Sequence, residues 1–405
     1  MHGPDATDDP LAALLTPEGQ ALLAELREHD PADELALATR LRRTHPAPLV
    51  SAALGQARLR QRAAAKFGAD AARMYFTPDG VEQATRTAVA AHRAARFAAL
   101  GVTRVADLCC GIGGDAVALA RAGIAVLAVD RDPATAAAAR ANAAALGVAE
   151  LVDVRCAEVG DVDISGYDAV FVDPARRVGR GGGSGRVFDP EAYSPPLSWA
   201  VEVAGRVSHA ALKVAPGIPH EAVPDAAEAE WVSYGGDVKE AVLWFGAAPG
   251  ARRATLLPAG ATLTGRGLPD PAPGPVGRYL YEPDGAVIRA HLVAEVAAQV
   301  GGRLLDPTIA YVTADGTAAG PAPTPYATAY EITDVLPFNV KKLRALLRER
   351  GVGSVTVKKR GSAVEPEELR RKLKLDGPTT VSCTVFLTRV AGAPTVLLGR
   401  PVPAT

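Results

Sequence analysis

The chain has 405 residues, enough for two or three domains, and a formal net charge of −1 from 44 Lys and Arg against 45 Asp and Glu. That balance excludes a uniformly basic chain of the histone type, and four cysteines without metal-ligand spacing exclude a disulfide scaffold and predict no metal site. No apolar run reaches the roughly 18 residues of a membrane helix and no secretory signal pattern is visible, so we expect a cytoplasmic protein without a membrane segment.

The first stretch of the chain has the pattern of a small helical domain, predicted over residues 1–73. Thr16 precedes Pro17, a cap followed by proline at the first helical position, and Asp30 before Pro31 repeats the device. A third run, from Pro48, carries apolar residues at helical spacing. Residues 36–75 have a net charge of +7, which could form one wall of a binding groove.

The central stretch, residues 74–250, is predicted to be an α/β domain. Pro78-Asp79-Gly80 predicts a turn before a helix. Short, fully apolar runs then alternate with Ala-rich helical runs, which is typical of a doubly wound parallel sheet covered on both faces. Because ligands of such sheets bind outside the carboxyl ends of the strands, the residues that end these strands are the candidates for a site.

The last stretch, residues 276–405, has the pattern of a smaller α+β region. A Pro-, Gly- and Ala-rich stretch from Ala247 to Pro275 precedes it and is predicted to be a domain boundary. A separate Gly-rich segment at 179–186, within the central stretch, is predicted to be a loop. A helix from Phe338, a strand from Ser354, a helix from Glu365 and a C-terminal hairpin are expected in this region.

Two strand ends carry residues suited to a nucleotide-like ligand. The first predicted strand runs into a Gly-rich turn between Asp107 and Asp115, where glycine lets the backbone turn tightly and approach a ligand. The second ends at Asp130, whose carboxylate can accept hydrogen bonds from both ribose hydroxyls, while Asp132 caps the next helix before Pro133. These features allow either a dinucleotide-dependent dehydrogenase or an S-adenosylmethionine-dependent methyltransferase.

The fourth predicted strand favours the methyltransferase. It ends in Asp173 and Pro174, a rigid corner at which a carboxylate or a backbone carbonyl can accept a hydrogen bond from a substrate amino group. A dehydrogenase does not need this corner, and a purely structural Asp-Pro turn is the alternative.

From Tyr75 to Phe245 the sequence resembles class I S-adenosylmethionine-dependent methyltransferases, most closely those that act on RNA bases. The strings DLCCGIGGD, VLAVDRDP and YDAVFVDPAR resemble their first, second and fourth motifs. The first and last are similar to trimethylguanosine synthases, although Ala175 and Arg176 replace the aromatic that would stack on a flipped base. The Asp-Pro-Ala-Arg string also resembles uracil-C5 methyltransferases, but Ser208-His209-Ala210 lacks their nucleophilic cysteine.

The resemblance implies a role for individual residues. Asp107, Cys109, Gly111 and Gly113 would line the methionine end of S-adenosylmethionine. Asp130 would hold the ribose and Arg131 would lie beside the adenine; Cys156 and Ala157 stand where an acidic residue often meets the adenine amino group, and Glu158 could substitute for that residue. Phe76 and Thr77 could close over the donor. Asp173 and Pro174 would face the methyl acceptor as the catalytic residues.

The whole arrangement also resembles a group of methyltransferases that end in a THUMP-like domain, here expected over about 331–400. Glu331 to Lys374 has a net charge of +6, and two basic clusters in it predict phosphate binding. The predicted RNA-binding residues are Lys341, Arg344, Lys358, Lys359 and Arg360. The resemblance adds that THUMP domains bind structured RNA.

The sequence therefore predicts an S-adenosylmethionine-dependent methyltransferase that modifies a base nitrogen in structured RNA, tRNA or rRNA. N-methylation needs little acid–base help because alignment of the reacting atoms supplies much of the rate. The alternatives are a small-molecule or protein methyltransferase, and a non-catalytic RNA-binding protein that keeps the donor pocket.

Overall fold

The structure is a computed structural model that describes residues 10–27, 29–175, 189–375 and 381–403. The chain divides into two compact units: the first is Met1–Ala227 with Val242–Pro249, and the second is Glu228–Ala241 with Gly250–Thr405. The predicted domains 1–73, 74–250 and 276–405 stay predictions. Arg176 and the predicted loop at 179–186 lie outside the described residues.

The first unit begins with four helices, whose bounds are α1 Pro10–Leu15, α2 Pro17–Glu25, α3 Glu34–Leu41 and α4 Ala47–Phe67. The predicted cap of α2 is confirmed, since the Thr16 hydroxyl accepts a hydrogen bond from the Gly19 N–H at 3.1 Å. Leu22, Leu26 and Val50 bury the apolar faces of these helices in a cluster that also contains Ala141. The N-terminal helices therefore share a core with the α/β part of the same unit.

Two further helices lie in the chain between α4 and the first strand of the sheet: α5 Pro78–Gln83 and α6 Thr87–Ala99. The prediction of a turn at Pro78-Asp79-Gly80 was wrong, because these residues form the first turn of α5. Thr77 caps that turn by accepting a hydrogen bond from the Gly80 N–H at 3.0 Å, and Pro78 occupies the first helical position.

The predicted doubly wound parallel sheet is confirmed. Its strands are β1 Arg104–Leu108, β2 Ala125–Asp130, β3 Val152–Cys156, β4 Ala169–Val172 and β5 His209–Val214, in the spatial order β3-β2-β1-β4-β5 with parallel neighbours. The connecting helices are α7 Gly114–Arg121, α8 Pro133–Ala145 and α9 Leu197–Ala204. Strand order reverses between β1 and β4, so the carboxyl ends of these two strands form the switch point where ligands bind.

Strands also occupy the stretch that was expected to be a boundary. Strands β6 Glu228–Tyr234 and β7 Asp237–Phe245 lie just before this stretch. Within it, β8 Arg252–Leu257 pairs in parallel with β6, and β9 Ala261–Gly265 pairs antiparallel with β8. Sequence reasoning missed β8 and β9 because the composition between Ala247 and Pro275 was read as linker-like; β8 is held by strand pairing that local propensity does not reveal.

The rest of the second unit is a second sheet with helices, and the predicted helix, strand, helix and hairpin near its end are confirmed. The elements are β10 Tyr279–Pro283, α10 Gly285–Arg289, α11 Val293–Val300, β11 Arg303–Asp306, β12 Ile309–Ala314, β13 Ala327–Pro337, α12 Val340–Glu349, β14 Ser354–Lys359, α13 Pro366–Leu373, β15 Ser382–Val390 and β16 Ala393–Pro401. The strand order is β11-β12-β10-β13-β16-β15-β14, and the sheet curls so that the Ala391 N–H donates to the Leu305 carbonyl at 3.1 Å.

Candidate functional site

The Gly-rich turn after β1 has the backbone conformation that its glycines allow. Gly111 and Gly113 have φ angles of 56° and 81°, and Cys109 adopts a φ of 67°, which is uncommon for a residue with a side chain. A Cβ atom on Gly113 would lie 3.3 Å from Ala139 Cβ, so a side chain there would also crowd α8. A Cβ on Gly111 would meet no atom within 4 Å, so this part of the turn faces open space.

Asp107, at the end of β1, is a buried carboxyl group without a neighbour to satisfy it. Its exposure is 0%, and neither carboxyl oxygen has a hydrogen-bond partner among the described residues. Burial raises the pKa of Asp107 well above its ordinary value, and the nearby charges of Asp115 and Asp173 raise it further. Buried polar groups are normally paired, so two orphaned acceptor atoms at a sheet edge point to a donor supplied by a ligand.

The second and third strands bring the next group of predicted residues together. Asp130 lies opposite Cys156 in the parallel register, and the Ala157 N–H donates to the Asp130 carbonyl at 3.1 Å. The Asp130 carboxylate accepts hydrogen bonds from the Gly111 N–H at 3.0 Å and the Asp132 N–H at 2.9 Å. Burial raises the pKa of Asp130, although these two hydrogen bonds lower it. Arg131, Cys156 and Glu158 are exposed at the same edge.

Phe76 and Thr77 lie before the sheet in positions that the fold itself uses. Phe76 is 5% exposed and packs against the ring of Phe67 with centroids 5.4 Å apart, in a cluster with Ile112 of the Gly-rich turn. Thr77 caps α5. Their predicted contact with a donor stays a prediction, while their contribution to packing and capping is visible in the structure.

Asp173 and Pro174 follow β4 directly, at the switch point beside the Gly-rich turn. The Asp173 N–H donates to the Leu108 carbonyl at 3.2 Å, which continues the pairing of β4 with β1. Lys213, on β5, donates from Nζ to Oδ2 of Asp173 at 2.7 Å. The Lys213 side chain is 6% exposed and that of Asp173 is 23% exposed, so the ammonium of this ion pair is almost fully buried.

The ion pair continues inward through three more side chains. Lys213 also donates to Thr85 Oγ1 at 3.0 Å, the Thr85 hydroxyl is hydrogen-bonded to Asp115, and Arg93 Nε donates to Asp115 Oδ1 at 2.9 Å. Sequence reasoning missed Lys213, Thr85 and Arg93. The available signal was the single lysine in the string HAALKV of β5, whose residues after His209 are otherwise apolar, since a lysine is rarely buried unless it is paired.

Comparison with known proteins decides the class of this chain. It is 34% identical over 344 residues to an uncharacterised S-adenosylmethionine-dependent methyltransferase of Mycobacterium tuberculosis, described in two strains, and the match covers 82% of this chain and 90% of that protein. The chain belongs to the S-adenosylmethionine-dependent methyltransferases. The methyltransferase also matches three family profiles: RNA cap guanine-N2 methyltransferase over residues 102–179, THUMP domain-like over 327–401, and a domain of unknown function over 8–63.

A solved structure agrees with the fold. The crystal structure of a protein provisionally assigned as a methyltransferase from Porphyromonas gingivalis covers 93% of this chain and 100% of its own, with a TM-score of 0.73 at 22% identity. Within the described residues of the methyltransferase, no helix combines the length and apolar character that crossing a membrane requires. The same residues hold no group of three or more His, Cys, Asp or Glu side chains that could bind a metal ion.

The residues around the Gly-rich turn fit the cofactor of this enzyme class. S-adenosylmethionine carries an ammonium group, ribose hydroxyls and an adenine amino group, all of which are hydrogen-bond donors. The ends of β1 and β2 offer the orphaned oxygens of Asp107 for one donor and the partly exposed carboxylate of Asp130 for others. The open space at Gly111 lets a ligand approach the backbone there.

Two of the predicted RNA-binding residues of the methyltransferase are partly buried and bound to other residues of the second unit. Lys358 pairs with Oε2 of Glu282, and Arg360 Nη2 lies 3.7 Å from Oε1 of the same carboxylate. Lys358 also lies over the ring of Tyr330, and Arg360 donates to the Ala310 carbonyl at 2.9 Å. The Glu282 side chain is 17% exposed, so these two charges neutralise a largely buried carboxylate, and the predicted binding of RNA by Lys358 and Arg360 stays a prediction.

The other three predicted RNA-binding residues differ in their surroundings. Arg344 of α12 donates to the Lys372 carbonyl in the last turn of α13. Its positive charge interacts favourably there with the partial negative charge of the helix C-terminus. Lys359 pairs with Glu365 at the surface. Lys341 is exposed and, within the described part of the chain, has no ion pair or side-chain hydrogen bond; the same holds for its neighbour Lys342.

The basic stretch 36–75 is also partly consumed by internal contacts. Lys66 donates to the carbonyls of residues 81, 82 and 84 around the end of α5, and Arg60 Nε donates to the Met74 carbonyl at 2.9 Å. Arg58 pairs with Glu34 at 3.2 Å. Several of the basic side chains behind the net charge of +7 therefore bind carbonyls and carboxylates within the first unit.

Proposed function

We propose that this methyltransferase transfers a methyl group to an amino nitrogen of a base in structured RNA. The observation that carries the proposal is the carboxylate of Asp173, held at the switch point with one oxygen bound by Lys213 and the other without a hydrogen bond to any described residue. The match of residues 102–179 to RNA cap guanine-N2 methyltransferases and of 327–401 to THUMP-like domains supports RNA as the acceptor.

The strand ends and the Gly-rich turn would hold the methyl donor. Asp107, Cys109, Gly111 and Gly113 would lie along its methionine end, with Asp107 accepting from the ammonium group. Asp130 would accept from the ribose hydroxyls. Arg131, Cys156 and Ala157 would lie along the adenine, and Phe76 with Thr77 would close the donor side from before the sheet. When bound, S-adenosylmethionine supplies a methyl group on a positively charged sulfur, and the carbon–sulfur bond breaks on transfer.

Asp173 and Pro174 would orient the acceptor. An ionised carboxylate only accepts hydrogen bonds, so Asp173 would select an N–H donor and turn the lone pair of that nitrogen toward the donor side. The amine gains the methyl group and afterwards gives up one proton to solvent, so the reaction needs alignment more than a base. Pro174 is buried and fixes the backbone direction after β4.

The second unit would contribute phosphate contacts. Lys341 and Lys342 at the start of α12 are exposed cations without a carboxylate partner in the described structure, so they keep their full charge for phosphate. Lys359 is exposed in a surface ion pair that a phosphate could replace at little cost.

A deletion strain tests the proposal. Nucleosides from its total tRNA and rRNA, analysed by mass spectrometry, should lack one methylated base that returns with the wild-type gene. Asp173→Ala should not restore it, whereas Asp237→Ala, which removes a carboxylate that is 82% exposed, should. Purified Asp173→Ala should bind S-adenosylhomocysteine normally and lose at least about a hundredfold in methyl transfer. An unchanged set of RNA nucleosides, or RNA-free methylation of a metabolite or protein, would overturn the RNA proposal.

A further inference from the structure

The buried ammonium of Lys213 is costly for the fold. Its side chain is 6% exposed, and removing an ammonium group from water is compensated only by well-placed partners. An apolar side chain of similar volume on β5 would often be as stable or more stable, so an ion pair at this position is weak evidence for a contribution to folding. The position itself is at the carboxyl edge of the sheet, where this fold places its ligands.

Lys213 has a specific effect on the carboxylate that it contacts. Its Nζ occupies Oδ2 of Asp173 at 2.7 Å and is itself held by Thr85 Oγ1 at 3.0 Å. The Thr85 hydroxyl is hydrogen-bonded to Asp115, and Asp115 is in turn fixed by Arg93, which lies over the ring of Phe171. The orientation of the Asp173 carboxylate is thus set by a chain of buried contacts from α6, and Oδ1 is the oxygen that no described residue donates to.

We propose that Lys213 is a positioning residue: it fixes the rotation of the Asp173 carboxylate so that Oδ1 accepts a hydrogen bond from the N–H of the amine being methylated. The inference rests on the proposed function and explains its choice of an amino nitrogen, since a carboxylate with one oxygen already bound to an ammonium pairs with an N–H and repels a carbonyl or ring nitrogen lone pair. Lys213 acts through Asp173 and does not touch the acceptor.

The test measures methyl transfer by the full-length protein from tritiated S-adenosylmethionine to total RNA of a strain that lacks the gene. The variants are Lys213→Met, Lys213→Arg, Asp173→Asn and the double variant Lys213→Met/Asp173→Asn. Lys239→Met is the matched control, because Lys239 pairs with Asp237 at the surface. Calorimetry with S-adenosylhomocysteine and thermal unfolding are recorded for each variant.

Lys213→Met should lower kcat at least about tenfold while the Kd for S-adenosylhomocysteine changes less than about twofold, and Lys213→Arg should recover part of the loss. The double variant should be no slower than Asp173→Asn, because Lys213 then has no carboxylate to position. If Lys213→Met does not fold, Lys213→Gln replaces it in both comparisons, since its amide keeps one donor without the charge.

The inference alone is overturned by wild-type kcat in Lys213→Met, or by losses that multiply fully in the double variant. A loss of stability without a change in kcat would also overturn it, because that is the signature of a purely structural lysine. Absence of label in RNA with the wild-type protein would overturn the proposed function, and this inference with it.

Discussion

Asn142 binds both backbone groups of Tyr75 through its side-chain amide. Its Oδ1 accepts from the Tyr75 N–H at 2.6 Å, its Nδ2 donates to the Tyr75 carbonyl at 3.0 Å, and Nδ2 also donates to the Ile112 carbonyl at 2.8 Å. Asn142 lies on α8 and is 0% exposed. One side chain therefore joins the segment that leads into α5 to the Gly-rich turn of the donor site.

Replacing Asn142 with Leu should weaken both stability and donor binding. The change keeps the shape but leaves three buried backbone groups unpaired, so the free energy of unfolding should fall by about 3 kcal/mol. The Gly-rich turn loses one of its anchors, and the Kd for S-adenosylhomocysteine should rise. Asn339→Ala, at the N-cap of α12, should cost about 1 kcal/mol without changing that Kd. Denaturant unfolding and calorimetry measure both quantities, and equal Kd values in Asn142→Leu and wild type would contradict the anchoring role.

Replacing Asp107 with Asn should change how stability depends on pH. Burial raises the pKa of Asp107 in the folded state, so the folded state holds its proton more tightly than the unfolded chain. The stabilisation from this group is present below its unfolded pKa, near 4, and is lost as the pH rises toward the raised folded pKa. The loss is about 1.4 kcal/mol for each unit by which the folded pKa exceeds the unfolded one. Asp107→Asn cannot show this loss.

The measurement is denaturant unfolding of both proteins between about pH 4 and pH 8. The variant should gain relative to wild type as the pH rises, while it binds S-adenosylhomocysteine more weakly at every pH. Asp168→Asn is a control of opposite sign, since hydrogen bonds from Thr103 lower the pKa of the partly exposed Asp168. Parallel stability curves for wild type and Asp107→Asn would show that the buried carboxyl is satisfied.

Removing one partner of the buried Arg93–Asp115 pair should destabilise the fold strongly. The two side chains are 2% and 8% exposed. Burial by itself raises the pKa of Asp115, but Arg93 and Lys213 lower it more, so the net shift is downward. The stabilisation from Asp115 is therefore present above its unfolded pKa and is lost as the pH falls through its folded pKa. Arg93→Met leaves this carboxylate without its nearest cation and should cost about 3 to 5 kcal/mol.

An exposed pair of the same residue types provides the comparison. Arg121 donates to Asp70 at 2.6 Å with 39% and 23% of the side chains exposed, and Arg121→Met should cost less than about 1 kcal/mol. Urea unfolding of the two variants at neutral pH gives both numbers. Similar losses from Arg93→Met and Arg121→Met would mean that burial does not govern these pairs.

The cations of the second unit should fall into two groups: Lys341 and Lys342 should affect RNA binding, and Lys358 should affect stability. Lys341→Gln/Lys342→Gln should leave stability unchanged and reduce the slope of log K against log salt by up to about 2, since each phosphate contact contributes close to 0.9. Lys358→Met should cost about 1 to 2 kcal/mol of stability because Glu282 loses its nearest cation, a cost moderated by the partial exposure of the pair.

The two effects are separated by filter binding of RNA over a salt series and by thermal unfolding. Adding Glu282→Gln to Lys358→Met should restore part of the lost stability, because the uncompensated carboxylate is removed. A reduced slope of log K against log salt in Lys358→Met, with unchanged stability, would show that Lys358 binds RNA phosphate as the sequence predicts.

Much of the donor site could be predicted from the sequence because its signals are local. Alternating apolar runs and helices imply a parallel sheet, and a parallel sheet brings strand ends such as Asp107, Asp130 and Asp173 to one edge whatever the rest of the chain does. The cap at Asp132 follows from two or three neighbouring residues, and it is present as predicted, with the Thr135 N–H 2.8 Å from Asp132 Oδ1.

The partners of the charged side chains were decided only by the tertiary structure. Lys213 and Asp173 are 40 positions apart, Tyr75 and Asn142 are 67 apart, and Lys358 and Glu282 are 76 apart. Net charge and periodicity give the sign of a segment and the face of a helix, but they do not say which distant carboxylate a lysine will meet. Pairing energy depends on distance and burial, which the string KKR does not contain. Only the folded chain shows that its first and last residues, Lys358 and Arg360, lie against Glu282.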